Sequence, residues 1–183
     1  MAVLKSGNRI KHPKKPDWGI GLVLNKEHQD KINVYFEFIG EKALIISLSN
    51  PIIIEGEEAK CPLFDLIESQ QAHHSDIEPS MYNVYVIELD KNVLDHFDFR
   101  KANPNYKNNK PCVYVGLTSL PPEIRFANHQ IGHKSSKYPR EYGERLLYGF
   151  FKALNPMPYK IGISMEKGLA QHLRRIGYAV WQN

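Results

Sequence analysis

The sequence predicts an α+β protein in which a small antiparallel β-barrel precedes a second domain with its own sheet and helices. The first half of the chain contains strand-like runs separated by turn residues, at Gly19–Leu24, Ile32–Phe38 and Lys42–Ser47. The second half contains two tyrosine-centred strands, Asn83–Leu89 and Pro111–Leu117, followed by two segments with helical spacing. With 183 residues and 42% apolar composition, the chain is long enough to bury a core.

Residue alternation and two glycines support the barrel. In the run Ile32–Phe38 the even positions hold Ile, Val, Phe and Phe, whereas the odd positions hold Asn, Tyr and Glu. This period of two places one face of the strand on a core. Gly19 and Gly21 lie where a strand of a tight barrel has to bend or approach another backbone closely. We therefore assign the barrel to residues 1–55.

Residues 56–81 differ in composition from both flanking regions. They are acidic and polar, which predicts a linker between the barrel and a second domain at residues 82–183. One apolar patch in this linker, Leu63–Ile67, is expected to dock on a domain. The adjacent pair His73-His74 has no third ligand at a suitable spacing, so we interpret it as part of the linker and not as a metal site.

The excess of positive charge is concentrated in the second domain. Residues 82–183 carry fifteen Lys/Arg against eight Asp/Glu, as expected for a surface that meets a polyanion. The Asn- and Lys-rich insertion Lys101–Lys110 is predicted to be a mobile surface loop. Cys61 and Cys112 lack metal-ligand spacing, so neither a zinc cluster nor a disulfide framework is indicated. No apolar run reaches the roughly 18 residues of a membrane span, and we expect a cytoplasmic protein without membrane contact.

A helix is predicted directly after the second tyrosine-centred strand. Thr118–Glu123 has the prolines and the acid of a helix start, and Gly132 supplies the stop. The apolar residues expected to form its packed stripe are Ile124, Ala127 and Ile131. Arg125 and His129 share a different face, where arginine could hold a phosphate and histidine could transfer a proton. An exposed helix face that holds two cations is the alternative.

A second helix is predicted from Tyr159 to Ile176, closed by Gly177. Its buried stripe is expected to consist of Leu169, Ala170 and Leu173. Glu166 falls on the same apolar face, where an unpaired carboxylate costs several kcal/mol. The residue therefore needs a partner, and a salt bridge to Arg125 explains it as well as a bound cation does.

Together these residues resemble the GIY-YIG nuclease superfamily over residues 82–181. Val84-Tyr85-Val86 and Tyr114-Val115-Gly116 occupy the places of the two signature triplets. Arg125 and His129 then follow the family's order of arginine and downstream histidine or tyrosine, and Glu166 falls where the family keeps its glutamate. The resemblance implies a central three-stranded antiparallel sheet flanked by helices.

The resemblance also implies an endonuclease that depends on Mg²⁺ or Mn²⁺ and hydrolyses DNA phosphodiester bonds, in DNA repair, recombination or defence. Glu166 would hold the metal, and Tyr85 or Tyr114, with a pKa lowered by nearby cations, would activate the attacking water. Arg125 would stabilise charge on the phosphorus, and His129 would assist proton transfer or anchor the phosphate. The cations expected to contact the nucleic acid are Lys134, Lys137, Arg140, Arg174 and Arg175.

Two departures from the family pattern leave a second function open. Val84 replaces a glycine, and Leu117 stands where some members have a lysine, a role that Lys134 or Lys137 could take. The alternative is a non-catalytic adaptor that binds DNA or associates with RNA polymerase and whose nuclease site has decayed.

The N-terminal residues carry a resemblance of their own. Gly7–Pro13, Trp18–Gly21 and Val34–Phe36 resemble the Tudor-like barrel appended to bacterial repair helicases and transcription-coupling factors. This resemblance covers about residues 5–55. It implies a docking module for nucleic acid or protein, with RNA polymerase or a repair protein as the partner.

Overall fold

Two sets of hydrogen-bonded strands organise the chain. The computed structural model describes residues 4–28, 30–72 and 81–182. It divides into two units, Met1–Glu68 and Ser69–Asn183, with the boundary inside a helix. The pair His73-His74 lies outside the described residues. Within the described ranges, every helix is too short or too polar to cross a membrane.

The first unit is built on an antiparallel sheet of five strands. Its elements are β1 (Arg9–Lys11), β2 (Ile20–His28), β3 (Lys31–Phe36), β4 (Gly40–Ile45), α1 (Ile46–Ser49), β5 (Ile52–Ile54) and α2 (Pro62–Ala72). The strands follow the order β4-β3-β2-β1-β5. In the described part of the chain β4 and β5 remain the two edges, so the expectation of a closed barrel is corrected to an open sheet. β1 and β5 have three residues each, and in the described residues no ladder joins β5 to β4.

The core of this unit follows the predicted alternation, with one addition. Ile32, Val34 and Phe36 are fully buried, as their period of two predicts. Tyr35, on the opposite face, is buried as well, because Phe64 of α2 covers it with ring centroids 6.5 Å apart. The apolar patch of the predicted linker therefore packs within the first unit as part of a helix.

The second unit contains a mixed sheet. Its elements are β6 (Met81–Leu89), α3 (Phe97–Lys101), β7 (Cys112–Thr118), α4 (Pro122–Gln130), α5 (Lys137–Tyr142), β8 (Gly143–Leu146), β9 (Met157–Pro158), α6 (Tyr159–Arg175) and β10 (Ala179–Trp181). The strand order is β10-β7-β6-β8, and β9 also pairs with β6. β10 runs parallel to β7, whereas the other pairs are antiparallel. The expected three-stranded antiparallel sheet is thus corrected to a five-stranded mixed one.

The insertion Lys101–Lys110 is held to the rest of the second unit by a buried side chain. Asn103 is 6% exposed. Its Nδ2 donates to the carbonyl of Phe99 at 2.8 Å, and its Oδ1 accepts from the backbone N–H of Val180 at 2.7 Å. The expectation of a mobile loop is therefore wrong at this position, because the asparagine joins α3 to β10.

Candidate functional site

The pairing of β6 with β7 brings the two tyrosines together on one face of the sheet. Tyr85 lies opposite Gly116, and the rings of Tyr85 and Tyr114 have centroids 5.9 Å apart. A Cβ on Gly116 would lie 2.6 Å from both Cζ and Oη of Tyr85, so only glycine leaves room for this phenol. Tyr85 is 1% exposed and Tyr114 is 3% exposed.

Helix α4 turns its polar face toward these tyrosines. His129 is fully buried, and its ring centroid lies 5.5 Å from that of Tyr114. Ile124 and Ile131, expected to pack, are 52% and 78% exposed, so the predicted stripe is on the wrong side of the helix. A buried tyrosine hydroxyl needs a hydrogen-bond partner, and the histidine supplies one that isoleucine lacks.

A chain of hydrogen bonds fixes the tautomer of His129. Tyr85 Oη lies 2.9 Å from His129 Nε2, and His129 Nδ1 lies 2.8 Å from Ser135 Oγ. The single hydroxyl hydrogen of Ser135 is donated to the carbonyl of Ser136 at 2.9 Å, so its Oγ accepts from His129 Nδ1–H. Nε2 then carries the lone pair, and Tyr85 donates its O–H to it.

Burial sets the protonation of this pair. It raises the pKa of Tyr85, and neighbouring Tyr114 adds to the rise, while Arg125 acts in the opposite direction with a smaller effect. The expectation of a lowered tyrosine pKa is therefore wrong for Tyr85, because desolvation of the phenolate outweighs the nearby cation. Burial, followed by the charge of Arg125, lowers the pKa of His129 to about 4, so the imidazole is neutral at pH 7.

The turn after α4 positions Arg125. Gly132 and Lys134 both adopt left-handed backbone conformations, with φ of 80° and 46°. This turn returns the carbonyl of Lys134 to within 2.9 Å of Arg125 Nη2, which donates to it. The guanidinium is half-buried, and its charge opposes the rise in the pKa of Tyr85. Arg125 is thus more open to solvent than Tyr85, Tyr114 and His129, which are buried.

Glu166 stands apart from these residues. It is half-buried on α6, and in the described part of the chain its carboxylate makes no hydrogen bond or ion pair, so the salt bridge to Arg125, one of the two explanations left open, is not formed. Burial raises the pKa of its carboxyl from 4.5 to about 7. Helix α6 packs through Gly162 against Leu117, whose side chain lies on the face of β7 opposite to Tyr114.

The five cations predicted to contact nucleic acid differ in their surroundings. The exposed ones are Lys134, Lys137, Arg140 and Arg175. Arg140 pairs with Glu141 at 2.9 Å. Arg174 is half-buried and donates to the carbonyl of Val180 at 3.1 Å. This arginine therefore stabilises the connection between α6 and β10.

Ser135 and Asn155 are site residues that the sequence did not reveal. Ser135 orients His129, and its signal was weak: two serines shortly after a glycine that ends a helix, where the chain can fold back. Asn155 pairs with the backbone of Val84 through Oδ1 at 2.9 Å and Nδ2 at 2.8 Å. Its side-chain amide thus extends the sheet beside β6 at Val84.

Comparison with known proteins adds one match. A family model described as a protein of unknown function (DUF3553) matches residues 4–48, within the first unit. No curated protein and no solved structure matches the chain significantly.

Proposed function

We propose that the second unit is a divalent-metal-dependent endonuclease that hydrolyses DNA phosphodiester bonds. The observation that carries the proposal is the buried hydrogen bond from Tyr85 to neutral His129, with Arg125 beside it at the more open end of the cluster. A guanidinium that can bind phosphate, next to a hydroxyl donor paired with an imidazole acceptor, suits the attack of water on a phosphodiester. The excess of Lys/Arg over Asp/Glu in residues 82–183 also supports a polyanionic substrate.

The cluster supplies a route for the proton of the attacking water. Arg125 binds a phosphate oxygen and stabilises the charge that develops on it. Tyr85 accepts a proton from water on its phenol oxygen as it passes its own hydrogen to His129 Nε2, so a free phenolate is never formed. The oxygen of water bonds to phosphorus, the bond to the leaving oxygen breaks, and that oxygen takes a proton from solvent.

Glu166 fits the role of a metal-binding carboxylate. It is half-buried, and in the described residues no cation or N–H group compensates its charge, which is why its pKa is raised to about 7. A single carboxylate suits Mg²⁺ or Mn²⁺, since Mg²⁺ retains several waters and uses substrate phosphates as ligands. Such an ion would neutralise the charge of phosphate oxygens that reach Glu166 and would activate water there, at a distance from the cluster around Tyr85.

The first unit would deliver this activity to its target. We propose that it docks on a nucleic acid or on a protein such as RNA polymerase or a repair factor. Exposed apolar side chains support a protein contact: Ile45, Leu48 and Ile52 are 47%, 68% and 53% exposed within eight residues of sequence. An attached docking unit accords with a role in DNA repair, recombination or defence.

A second candidate function is favoured by the burial of the tyrosines. Tyr85 is 1% exposed, and α6, which carries Glu166, packs on the opposite face of the sheet. A non-catalytic DNA-binding or RNA-polymerase-associated adaptor could keep the Tyr85–His129 hydrogen bond for stability alone.

Cleavage assays separate the two functions. Full-length protein is incubated with single-stranded, double-stranded and branched DNA, with Mg²⁺ and with Mn²⁺. Arg125→Ala and Glu166→Ala are each expected to lower the cleavage rate at least 100-fold, whereas Arg145→Ala removes a 70% exposed arginine and controls for the loss of one positive charge. If the wild-type protein cuts none of these substrates, the nuclease proposal fails and the adaptor remains.

A further inference from the structure

A cleft of about 480 Å³ opens in the second unit beside the candidate site. Its walls come from β6, from the first turn of α4 and from the segment between β8 and β9. The residues that matter for its chemistry are Asn83, Glu123, Tyr148, Phe151 and Lys152. None of them belongs to the hydrogen-bonded cluster around Tyr85.

The cleft continues the face of the sheet that carries the tyrosines. Asn83 precedes Tyr85 by two residues on β6, and the two pair with Thr118 and Gly116 of β7. Because strand side chains alternate, Asn83 and Tyr85 share a face and lie about 7 Å apart along it. Glu123 and Arg125 both lie in the first turn of α4, on different sides of that helix. A nucleic-acid strand whose phosphate contacts Arg125 can therefore place a neighbouring base in this cleft.

An aromatic platform forms one wall. Tyr148 is 44% exposed, while Phe151 beneath it is 2% exposed, and their ring centroids lie 5.3 Å apart. Burial, followed by the carboxylate of Glu123, raises the pKa of Tyr148, so these two side chains lie near each other on the wall of the cleft. A braced and exposed tyrosine is a surface on which a nucleobase stacks, and one such contact contributes about 1–3 kcal/mol.

Two of the polar side chains that line the cleft, those of Asn83 and Glu123, offer acceptors. Asn83 donates its Nδ2 to the carbonyl of Leu120 at 3.1 Å, and in the described residues its Oδ1 has no partner. Glu123 is exposed, and its carboxylate oxygens can accept hydrogen bonds from a ligand. Two acceptors on one cleft select a ligand that presents an amine.

We propose that this cleft is a subsite for an unpaired nucleobase next to the bound phosphate. The base stacks on Tyr148 and donates its exocyclic amine to Glu123 or Asn83, and exposed Lys152 contacts the adjoining phosphate. Adenine, cytosine and guanine carry such an amine, whereas thymine does not. The subsite rests on the proposed function for the position of the phosphate at Arg125.

Binding without metal tests the subsite independently of cleavage. Fluorescent single strands of dC and dT of equal length are titrated with the full chain in EDTA. The wild-type protein is expected to bind the dC strand several-fold more tightly, and Tyr148→Ala to weaken that binding about tenfold. Tyr148→Phe keeps the ring and should stay within about twofold of wild type. Phe97→Ala, which removes a 67% exposed aromatic ring from α3, controls for the loss of exposed aromatic surface.

The acceptor role has its own variant. Glu123→Gln replaces a carboxylate oxygen with an amide nitrogen and should reduce the ratio of dC affinity to dT affinity, while the loss of one negative charge raises the affinity for both strands alike. Equal binding of the two strands by wild-type protein, or unchanged dC affinity in Tyr148→Ala, would overturn the subsite. Absence of binding to either strand would overturn it too.

The failures of the two proposals are distinguishable. If wild-type protein cleaves DNA and Tyr148→Ala neither binds more weakly nor cleaves more slowly, the subsite is wrong and the nuclease stands. If binding depends on Tyr148 but no substrate is cut with Mg²⁺ or Mn²⁺, the subsite stands and the nuclease proposal fails.

Discussion

Replacing Glu166 by glutamine is expected to stabilise the protein relative to wild type, and this gain should be larger at alkaline pH than at acid pH. Burial raises the pKa of this carboxyl from 4.5 to about 7 because the charged form loses hydration and gains no partner in the described residues. Such a rise corresponds to roughly 3 kcal/mol for a fully desolvated group. Since Glu166 is only half-buried, solvent screening reduces the expected effect to about 2 kcal/mol.

The sign follows from proton binding. The native carboxyl holds its proton to a higher pH than the unfolded one, so the folded state binds more protons between about pH 4.5 and pH 7. Stability contributed by this group is fully present below the unfolded value and is lost as pH rises through the folded value. Glu166→Gln removes that loss. The gain of the variant over wild type should grow from near zero at pH 4.5 to about 2 kcal/mol at pH 8.

Urea unfolding at a series of pH values measures this difference. The chain has two tryptophans, Trp18 and Trp181, so a Trp18→Phe background leaves Trp181 of β10 to report on the second unit. Glu144→Gln, at an exposed glutamate of the same unit, controls for the loss of one negative charge. A difference between wild type and Glu166→Gln that stays constant across the pH range would refute the claim that this carboxylate is desolvated and unpaired.

Other substitutions test the cluster, each by urea unfolding. Tyr85→Phe leaves buried His129 Nε2 without its donor and should lower the free energy of unfolding by about 1–3 kcal/mol. Tyr114→Phe loses only a 3.4 Å contact and should lower it by less than about 1 kcal/mol. Equal losses in the two variants would contradict the hydrogen-bond assignment. Gly116→Ala drives a Cβ against the Tyr85 ring and should cost about 1–3 kcal/mol, and a neutral result would show that the ring has room to shift. Asn155→Ala removes two hydrogen bonds to the β6 backbone and should lower the free energy of unfolding by about 1–3 kcal/mol. Asn155→Asp keeps only the acceptor, so its stability should lie between that of wild type and that of Asn155→Ala.

Local signals in the sequence were sufficient for the helix that carries Glu166. Helical spacing and a closing glycine predicted a helix from Tyr159 to Ile176, and α6 spans Tyr159–Arg175 with Gly177 at φ 98°. Its stripe of Leu169, Ala170 and Leu173 is buried as predicted. These features depend on neighbours within one turn of the same helix, which is why the sequence alone reveals them.

Features that depend on distant residues were not predictable in the same way. The apolar spacing of α4 pointed to Ile124 and Ile131, but the sheet offers a buried hydroxyl at Tyr85, and satisfying it turns His129 inward. The burial of Asn103 similarly depends on β10, which lies more than seventy residues away along the chain. The spacing of apolar residues along one helix contains no information about a single polar group on another element.

The hydrogen-bonded cluster around Tyr85 and the carboxylate of Glu166 affect the stability of the protein in opposite ways. The chain from Tyr85 through His129 to Ser135 is satisfied at every step, so it is stable whether or not it ever meets a substrate. Glu166 has no such compensation, and its burial lowers stability at neutral pH. Selection for stability alone accounts for the first and opposes the second. The metal proposal therefore rests on Glu166, the proton route rests on Tyr85, and either can fail without the other.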